Sequence, residues 1–323
     1  MEFDLLRCED GIKTDDLIFC IDCGTTYIKT LLLDKTGTAY HNYSYQNFPF
    51  DRITRMVDFN KCKIITTGAK SDALGLDHGE FEIVYYGEFD CISKLPACLG
   101  IDRAVVANIG TGTPFIAFEN GEGSHLGGTG VGGGTIVGLA ERLLGVTDPV
   151  MLEKMALRGN LPNINIMIGD IYKANALNEL KGNYTASNFA KPASGAAAGA
   201  ENGAVAGAAA VTGAVADAVT SAATDAENAA AAAIKSADDA ANDLAMGIHS
   251  LVGEVVGSMA GQLAKYNGFD SVIFCGAVCD NGVIRRILSD CMELYGTKPI
   301  FIERPGFGTC FGAIMRYISE SAN

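Results

Sequence analysis

The sequence predicts an α/β protein whose two domains share a cleft. Its 323 residues exceed the roughly 250–300 residues that one hydrophobic core usually organises. Strand patterns alternate with helix patterns through the second half of the chain, which is typical of the α/β class. A strand, a turn of glycine and threonine, and another strand also follow one another twice, at residues 17–34 and 104–118. We therefore expect one such turn in each domain.

The elements of the first half follow from alternation of apolar residues and from β-branched content. Two strand patterns bracket the first turn, and a hairpin turn at residues 34–37 leads to a third strand. The next elements, in chain order, are a strand at residues 63–67, a strand running into a helix at 83–100, and strands at 104–109 and 115–118.

Helix periodicity becomes common after the second strand–turn–strand pattern, which ends at residue 118. The glycine-dense segment at residues 127–134 is expected to be a turn that opens a helix, because apolar residues recur at helix spacing from Ile136 onward. The later elements are a helix at residues 244–263, a strand at 271–275, a helix around 284–288, a strand at 299–302 and a closing helix at 308–318.

The stretch at about residues 193–243 differs from the rest, since alanine, glycine, serine, aspartate and asparagine dominate it. Alanine favours helices, so this segment is predicted to be a helical or flexible surface insert without a catalytic role. The predicted organisation is an N-terminal extension at residues 1–16, an N-terminal domain at 17–103 that carries the candidate catalytic residue Glu88, and a C-terminal domain at 104–323 that contains the insert.

Composition indicates a folded protein and excludes some partners. Hydrophobic residues make up 48% and charged residues 19% of the chain, as in well-packed globular proteins. The formal net charge of -14 repels phosphate backbones, so we do not expect nucleic acid as a partner. A bound nucleotide would have to be held locally, by backbone amides, one or two lysines and a metal ion.

No segment of the sequence reads as a signal or a membrane span. Residues 1–16 lack an apolar signal core, and no run of 18 apolar residues occurs, so we expect a cytoplasmic protein without a membrane span. Most of the ten cysteines lie in apolar runs and are expected to be reduced. Cys20 and Cys23 form a C-x-x-C pair but fall on opposite faces of a strand, which argues against a metal or redox site.

The first turn has the composition of a phosphate and metal site. Asp22 ends a strand, Gly24, Thr25 and Thr26 form the turn, and Lys29 lies on the next strand. The turn can offer backbone and hydroxyl donors to a phosphate, the acid can hold a hydrated magnesium ion, and the lysine can meet the transferred phosphoryl group. An ordinary hairpin turn with no function is the alternative for this motif alone.

The second turn, with Gly110, Thr111, Gly112 and Thr113, occupies the equivalent place in the second copy. Two small-residue turns between apolar strands can face one another across a cleft and hold a triphosphate from both sides.

The glycine run that follows ends with Gly132, Gly133 and Gly134 at the start of a helix. Glycine lets the backbone approach a ligand, and a helix N-terminus offers free N–H groups, so a nucleotide site is favoured over a merely flexible loop.

Glu88 is the candidate general base. It lies in Gly87-Glu88-Phe89-Asp90, and a carboxylate among apolar neighbours can have a raised pKa and take a proton from a hydroxyl. An ordinary acid at a helix start is the alternative, and the residue alone does not decide between the two.

Further strings in the same order extend these motifs through most of the chain. They are D-x-G-x-T-x-x-K at 22–29, E-F-D-C at 88–91, N-I-G-T-G-T at 108–113, G-G-T-G-x-G-G-G-T at 127–135, G-D-I-Y at 169–172, Y-T-A-S-N-F at 184–189, L-V-G-E-V-V at 251–256 and K-P-I-F-I-E at 298–303. Together they resemble the type II pantothenate kinases of the acetate/sugar kinase and actin superfamily. The insert and residues 1–16 lie outside the resemblance.

The resemblance implies a two-domain actin-like (ribonuclease H-like) kinase fold with a central cleft between its domains. It implies ATP-dependent phosphorylation of pantothenate at its 4′-hydroxyl, with ATP and Mg²⁺ as cofactors, in a cytoplasmic homodimer. Glu88 would take the proton of the hydroxyl. The residues implied in ATP and phosphate binding are Asp22 (also the metal ligand), Gly24, Thr25, Thr26, Lys29, Gly110, Thr111, Gly112, Thr113, Gly132, Gly133 and Gly134, and those implied in substrate binding are Thr111, His125, Thr185 and Ala186.

The chain departs from the family pattern at two positions. His125 stands where the family usually has arginine, and Pro114 stands where it usually has serine. These changes remove a bidentate cation, a hydroxyl and an N–H from the substrate side. Two alternatives therefore stay open: a kinase of the same fold acting on another hydroxyl, such as a pantetheine-like compound or an amino sugar, and a non-catalytic ATP-binding regulator.

Overall fold

The protein is described by a computed structural model that covers residues 4–7, 17–34, 38–45, 59–71, 82–172, 181–192 and 223–321. These residues form two compact units. The first comprises Met1–Gly133, Val256–Asn281 and Leu288–Asn323, and the second comprises Gly134–Val255 and Gly282–Ile287. The sequence-based division at residues 103 and 104 stays a prediction.

The first unit contains a six-stranded sheet in the order β1-β4-β3-β2-β5-β6. Strand β2 is fully buried, and its neighbours β3 and β5 pair with it in antiparallel and parallel directions respectively. The predicted extension contributes the edge strand, β1. The strands are β1 (Asp4–Arg7), β2 (Ile18–Cys23), β3 (Tyr27–Leu33), β4 (Thr38–Tyr45), β5 (Lys63–Thr67) and β6 (Ile83–Tyr85).

The first unit also contains a five-stranded sheet, and helix α1 (Glu88–Cys98) precedes it in the chain. Its order is β13-β12-β7-β8-β9, with β7 parallel to β12 and antiparallel to β8. Its strands are β7 (Arg103–Asn108), β8 (Thr113–Glu119), β9 (Glu122–Thr129), β12 (Ser271–Cys275) and β13 (Lys298–Phe301).

Helix α1 and the C-terminal helix, Gly308–Ser321, share one hydrophobic core with both sheets of the first unit. Cys20 of β2 and Val106 of β7 both lie in this core. The two helices approach so closely that a methyl group on Gly312 would come within 1.8 Å of the Cys91 carbonyl oxygen. Close packing therefore fixes the start of α1 relative to the ends of β2 and β7.

Helices predominate in the described part of the second unit. A two-stranded sheet of β10 (Ile166–Met167) and β11 (Thr185–Ser187) lies in the second unit. The helices after α1 are α2 (Gly133–Leu144), α3 (Pro149–Ala156), α4 (Ile168–Ile171), α5 (Ala223–Tyr266), α6 (Gly282–Tyr295) and α7 (Gly308–Ser321), and short 3-10 helices span Phe59–Lys61, Leu161–Asn163, Ala277–Asp280 and Pro305–Phe307.

The structure corrects one expectation about the glycine-dense segment. Gly127, Gly128 and Thr129 belong to strand β9, so only Gly130, Val131 and Gly132 form the loop before α2. The sequence hid this strand because glycine is depleted in strands.

The Ala-rich insert is only partly described. Helix α5 begins at Ala223 and runs without a break through the predicted helix at residues 244–263, so the end of the insert is helical. The rest of the predicted insert, residues 193–222, lies outside the described residues. Among the described helices, the stretch Lys235–Tyr266 is long and apolar enough to cross a membrane, but most of it is buried inside the protein, as in core helices that pass the same test.

Candidate active site

Asp22 and Lys29 form a buried ion pair at the end of β2. They face each other in the antiparallel register of β2 and β3, and the Lys29 ammonium pairs with the Asp22 carboxylate. Burial by itself lowers the pKa of Lys29. The negative charge of the Asp22 carboxylate, together with smaller contributions from neighbouring groups, outweighs burial, so the pKa of Lys29 is raised above its ordinary value. Lys29 is therefore a cation at neutral pH. It lies opposite Asp22, near the carboxyl end of β2, which pairs with β5 in parallel, and ligands bind at such strand ends in open α/β sheets.

The first turn presents its threonines to solvent. The Gly24 N–H donates to the Tyr27 carbonyl at 3.1 Å, which closes the turn between β2 and β3. Thr25 and Thr26 at its tip are exposed. Both hydroxyls meet the Thr111 hydroxyl of the second turn, Thr25 directly and Thr26 at 3.5 Å between oxygens. The structure therefore brings the two predicted turns together.

The second turn is a compact loop between β7 and β8. The Gly110 N–H lies 3.1 Å from the Asn108 carbonyl and 3.0 Å from the Gly112 carbonyl. Thr113 is buried, and its hydroxyl donates to the Val131 carbonyl at 2.9 Å. The Thr113 side chain thus holds the following glycine loop, and Thr111 is the exposed hydroxyl of this turn.

Two of the predicted nucleotide-binding glycines serve the packing of that loop on the second turn. A methyl group on Gly132 would come within 2.7 Å of the Thr111 carbonyl oxygen, and one on Gly133 within 2.7 Å of the Val278 side chain. The Gly133 N–H donates to the Gly110 carbonyl at 2.7 Å. Gly134 follows in the first turn of α2 and is exposed. Gly130 differs from these, because a methyl group there would meet nothing within 4 Å.

Glu88 is the first residue of α1 and is half-buried. Its Oε1 accepts a hydrogen bond from Nδ2 of Asn108 at 3.4 Å. Burial and the negative charge of Asp22 raise the pKa of the Glu88 carboxyl, while the positive charge of Lys29 lowers it, and the net shift is upward. A carboxylate with a raised pKa is a better proton acceptor than an exposed one, which suits a general base.

The start of α1 is tied to its surroundings on two sides. The Cys91 thiol donates to the Thr67 hydroxyl of β5 at 3.3 Å, and the Arg316 guanidinium of α7 pairs with Asp90 at 2.7 Å. Arg316 also lies over the Tyr86 ring, 4.7 Å from its centroid. These contacts hold the helix turn that carries Glu88.

His125, a predicted substrate residue, lies on β9 and is exposed. Its ring meets the Phe89 ring edge to face, with 5.0 Å between centroids and 66° between planes. The side chain therefore stands next to the residue that follows Glu88. Pro114 of β8 lies opposite Gly128 of β9 in the same sheet.

Thr185 and Ala186 lie on β11 in the second unit. The Thr185 hydroxyl donates to Glu254 at 2.7 Å, and Asn188 and Ser250 donate to the same carboxylate at 3.0 and 2.6 Å. This network fixes β11 on helix α5, and Ala186 is exposed at its centre.

Magnesium fits this set of donors only as a partner of a bound nucleotide. Mg²⁺ usually keeps several waters and binds through one or two carboxylates together with substrate phosphates. Asp22 can supply one such carboxylate. In the part of the chain that the structure describes, no group of three or more His, Cys, Asp or Glu side chains could hold a metal ion alone.

Asn108 begins the N-I-G-T-G-T string, but the sequence pattern assigned it no role in the site. It occupies the position in the second turn that Asp22 occupies in the first, since both precede the turn glycine by two residues. That equivalence was visible in the sequence, but its contact with Glu88 joins residues 20 positions apart on two elements and needed the fold.

Comparison with known proteins decides the family. The model of the Fumble family matches residues 103–316. The chain belongs to the Fumble family. Among curated relatives, the type II pantothenate kinase of Bacillus cereus (strain ATCC 14579) is 33% identical over 184 residues, which are 54% of this chain and 66% of that protein. The predicted resemblance to type II pantothenate kinases is confirmed, and the chain spans about two thirds of that relative's length.

Solved structures agree on the fold. Component A of the (R)-2-hydroxyglutaryl-CoA dehydratase of Acidaminococcus fermentans has a TM-score of 0.56 at 15% identity, over 96% of this chain and 100% of that chain. The activator of the 2-hydroxyisocaproyl-CoA dehydratase of Clostridium difficile, with bound ADPNP, has a TM-score of 0.54 at 14% identity, over 95% of this chain and 96% of that chain. At these identities the likeness concerns the fold alone, and the predicted actin-like α/β class is confirmed.

Proposed function

We propose that this Fumble-family protein transfers the γ-phosphoryl group of ATP to the 4′-hydroxyl of pantothenate. One observation carries the proposal: Glu88, whose pKa is raised, stands at the ends of the strands that bear the Asp22–Lys29 pair and Asn108, in a chain whose relatives are named type II pantothenate kinases. In this proposal, Glu88 is the base for a hydroxyl and Lys29 is the cation for a phosphate.

The Glu88 carboxylate is proposed to accept the proton of the 4′-hydroxyl as its oxygen bonds to the γ-phosphorus. The bond between that phosphorus and the β,γ-bridging oxygen breaks, the electron pair remains on ADP, and the proton resides on Glu88 until it passes to solvent. Phosphoryl transfer needs little covalent help from the protein, so positioning and charge stabilisation supply most of the rate.

ATP is proposed to lie along the two turns that meet at their threonines. The hydroxyls of Thr25, Thr26 and Thr111 and the N–H group of Gly112 are the proposed donors for the phosphates, and the ammonium of Lys29 is the cation for the transferred group. Gly24 and Gly110 use their own N–H groups to close the two turns, so their part is to let the phosphates approach the backbone. Asp22 would hold Mg²⁺, which when bound neutralises part of the phosphate charge.

The glycine loop has two parts in this proposal. Gly132 and Gly133 let the loop approach the second turn, and Gly134 offers the start of α2 to the nucleotide. Thr113 acts indirectly, since its hydroxyl fixes the Val131 carbonyl.

Pantothenate is proposed to contact Thr111, His125, Thr185 and Ala186, the substrate residues that the resemblance to type II pantothenate kinases implies. His125 lies beside Phe89 and so adjoins the base, and Thr185 is fixed by Glu254.

We further infer a cytoplasmic homodimer. The family resemblance implies both the compartment and the assembly state, and light scattering of the purified protein measures the latter.

The test is an ADP-release assay of the purified protein with ATP and Mg²⁺ against pantothenate, pantetheine and a panel of amino sugars. The proposal expects pantothenate to give the highest kcat/KM and a phosphomonoester product by phosphorus NMR. Release of ADP with an amino sugar alone would assign another acceptor, and nucleotide binding without acceptor-dependent turnover would indicate a regulator.

A further inference from the structure

Asn108 has two polar partners in the interior of the first unit. It is the last residue of β7, and only 6% of its surface is exposed. Its Nδ2 donates to Oε1 of Glu88 at 3.4 Å, and its Oδ1 accepts from the Cys275 thiol at 3.5 Å. Asn108 and Cys275 are direct neighbours in the register of β7 and β12. The side chain therefore bridges the sheet and the first residue of α1.

The chemistry of the two partners fixes which end of the amide faces which. An ionised carboxylate only accepts hydrogen bonds, so Glu88 requires the NH₂ group of Asn108. Burial raises the pKa of the Cys275 thiol to about 12, so the thiol keeps its proton and can donate to the amide oxygen. Reversing the amide would place two acceptors together at Glu88. The hydrogen bonds at both ends of the Asn108 amide thus keep its NH₂ group directed at the Glu88 carboxylate.

We propose that Asn108 is a positioning residue that orients the Glu88 carboxylate toward the substrate hydroxyl and favours its ionised form. The inference rests on the proposed function, because it needs Glu88 to act as the base. The hydrogen bond is long in the free protein, and catalytic hydrogen bonds often shorten only when substrate binds.

The charged groups around Glu88 explain why this position carries a neutral donor. Asp22 of β2 disfavours ionisation of Glu88 and Lys29 of β3 favours it, while Arg316 of α7 is engaged with Asp90. The Cys275 thiol of β12 remains neutral. A second carboxylate at the position of Asn108 would add to the repulsion from Asp22, whereas an amide stabilises the charge without changing the net charge of the site.

The substitution N108D tests the proposal, because aspartate keeps the shape of the side chain and the acceptor for Cys275 but replaces the donor with a carboxylate. N108A removes the donor without adding charge. We expect kcat with pantothenate to fall by about 10²-fold in N108D and about 10-fold in N108A, with KM for ATP changed by less than about twofold. The acid limb of the pH–rate profile should move upward by about one pH unit in N108A and further in N108D.

A purely structural role predicts the opposite order. Alanine would leave a cavity and two partners without a hydrogen bond, so N108A would be the more damaging change and melting temperature would fall with activity. N163D is the matched control, since the Asn163 amide also donates to a carboxylate, that of Asp243, at 2.8 Å in the second unit. It should lower the melting temperature and leave the acid limb unchanged.

The outcomes separate this inference from the function on which it rests. An active wild type whose acid limb stays in place in N108A overturns the role of Asn108, and so does a larger loss of kcat in N108A than in N108D. If N108D does not fold, the acid limb of N108A alone decides. A wild type without pantothenate-dependent turnover rejects the proposed function itself, and the role of Asn108 falls with it.

Discussion

The two turns of the first unit have the same plan but follow different polar residues. Asp22 precedes the first turn and Asn108 precedes the second, each two positions before the turn glycine. The charged residue pairs with the Lys29 ammonium, and the neutral one donates to the Glu88 carboxylate. In the proposed reaction, one position therefore serves the phosphate side and the other serves the base.

The difference follows from the neighbour that each residue has. Asp22 lies opposite a lysine across an antiparallel pair, where a carboxylate is stabilised. Asn108 lies opposite a thiol and next to Glu88, where a second negative charge would raise the cost of ionising the base. The side chains of Asp22 and Asn108 differ in a single heavy atom, a carboxylate oxygen in Asp22 and an amide nitrogen in Asn108. In the proposed reaction, that one atom lets two similar turns contribute to phosphate binding and to the positioning of Glu88.

The largest effect is expected for E88Q, which removes the base and leaves both turns intact. We expect kcat to fall by about 10²–10⁴-fold, the usual contribution of a general base, with the dissociation constant for ATP nearly unchanged. Steady-state kinetics and calorimetric titration measure the two quantities. Turnover equal to that of the wild type would show that Glu88 is not the base.

E88Q should also melt at a higher temperature than the wild type at pH 7. The pKa of Glu88 is raised in the folded protein, so the stability tied to its protonated form is present below the ordinary glutamate pKa and is lost as pH rises through the folded pKa. Glutamine removes this loss. The difference in melting temperature should vanish at acid pH, and a constant difference at every pH would contradict the raised pKa.

The second effect in size is expected for D22N, which makes the first turn resemble the second. The change removes the carboxylate partner of Lys29, whose side chain is 13% exposed, and the carboxylate proposed for magnesium. We expect kcat to fall by about 10²-fold and the Mg²⁺ concentration for half-maximal rate to rise. Breaking a buried ion pair on one side should also lower the free energy of unfolding by about 3 kcal/mol.

D22E is the matched control for D22N, because it keeps the charge on a longer side chain. It should retain more of the stability than D22N. Wild-type magnesium dependence in D22N would contradict the metal assignment, whatever the change in stability.

A smaller effect is expected for glycine substitutions in the loop that supports the second turn. G132A places a methyl group within 2.7 Å of the Thr111 carbonyl oxygen, so we expect a lower melting temperature and a dissociation constant for ATP raised by about 10-fold. G130A is the control, because nothing lies within 4 Å of its methyl group. G130A should melt like the wild type, and equal ATP affinity in all three proteins would move the nucleotide away from this loop.

The smallest effect is expected for the double variant H125R and P114S, which introduces the residues usual in the family. Arginine offers a carboxylate a bidentate partner that histidine lacks, so KM for pantothenate should fall by about two- to fivefold with kcat unchanged. An increase in KM for pantothenate, or no change, would show that neither residue limits recognition of this acceptor.

Much of the fold could be predicted from local patterns. Strands β2, β3, β5, β7 and β8 appear where alternating or continuous apolar residues place them, and Glu88 begins a helix as the acidic first turn indicates. Strand β9 could not be predicted, because its pairing with β8 is set by register rather than by the propensity of its glycines.

The candidate site was predicted by residue type more than by role. The meeting of Thr25 with Thr111 agrees with the expected pair of turns. By contrast, the inward hydroxyl of Thr113 and the donor role of Asn108 depend on which way a side chain faces in the folded sheet. Long-range packing decides such directions, as the Gly312 contact with Cys91 illustrates for the placement of α1.

The pH dependence of kcat/KM for pantothenate tests the role of Glu88 most directly. The profile of the wild type should show an acid limb at a pKa above the ordinary glutamate value of 4.5, because burial and the charge of Asp22 disfavour the carboxylate. The residual activity of E88Q should lack that limb. An acid limb that persists unchanged in E88Q would assign the titrating base to another residue and contradict the proposed chemistry.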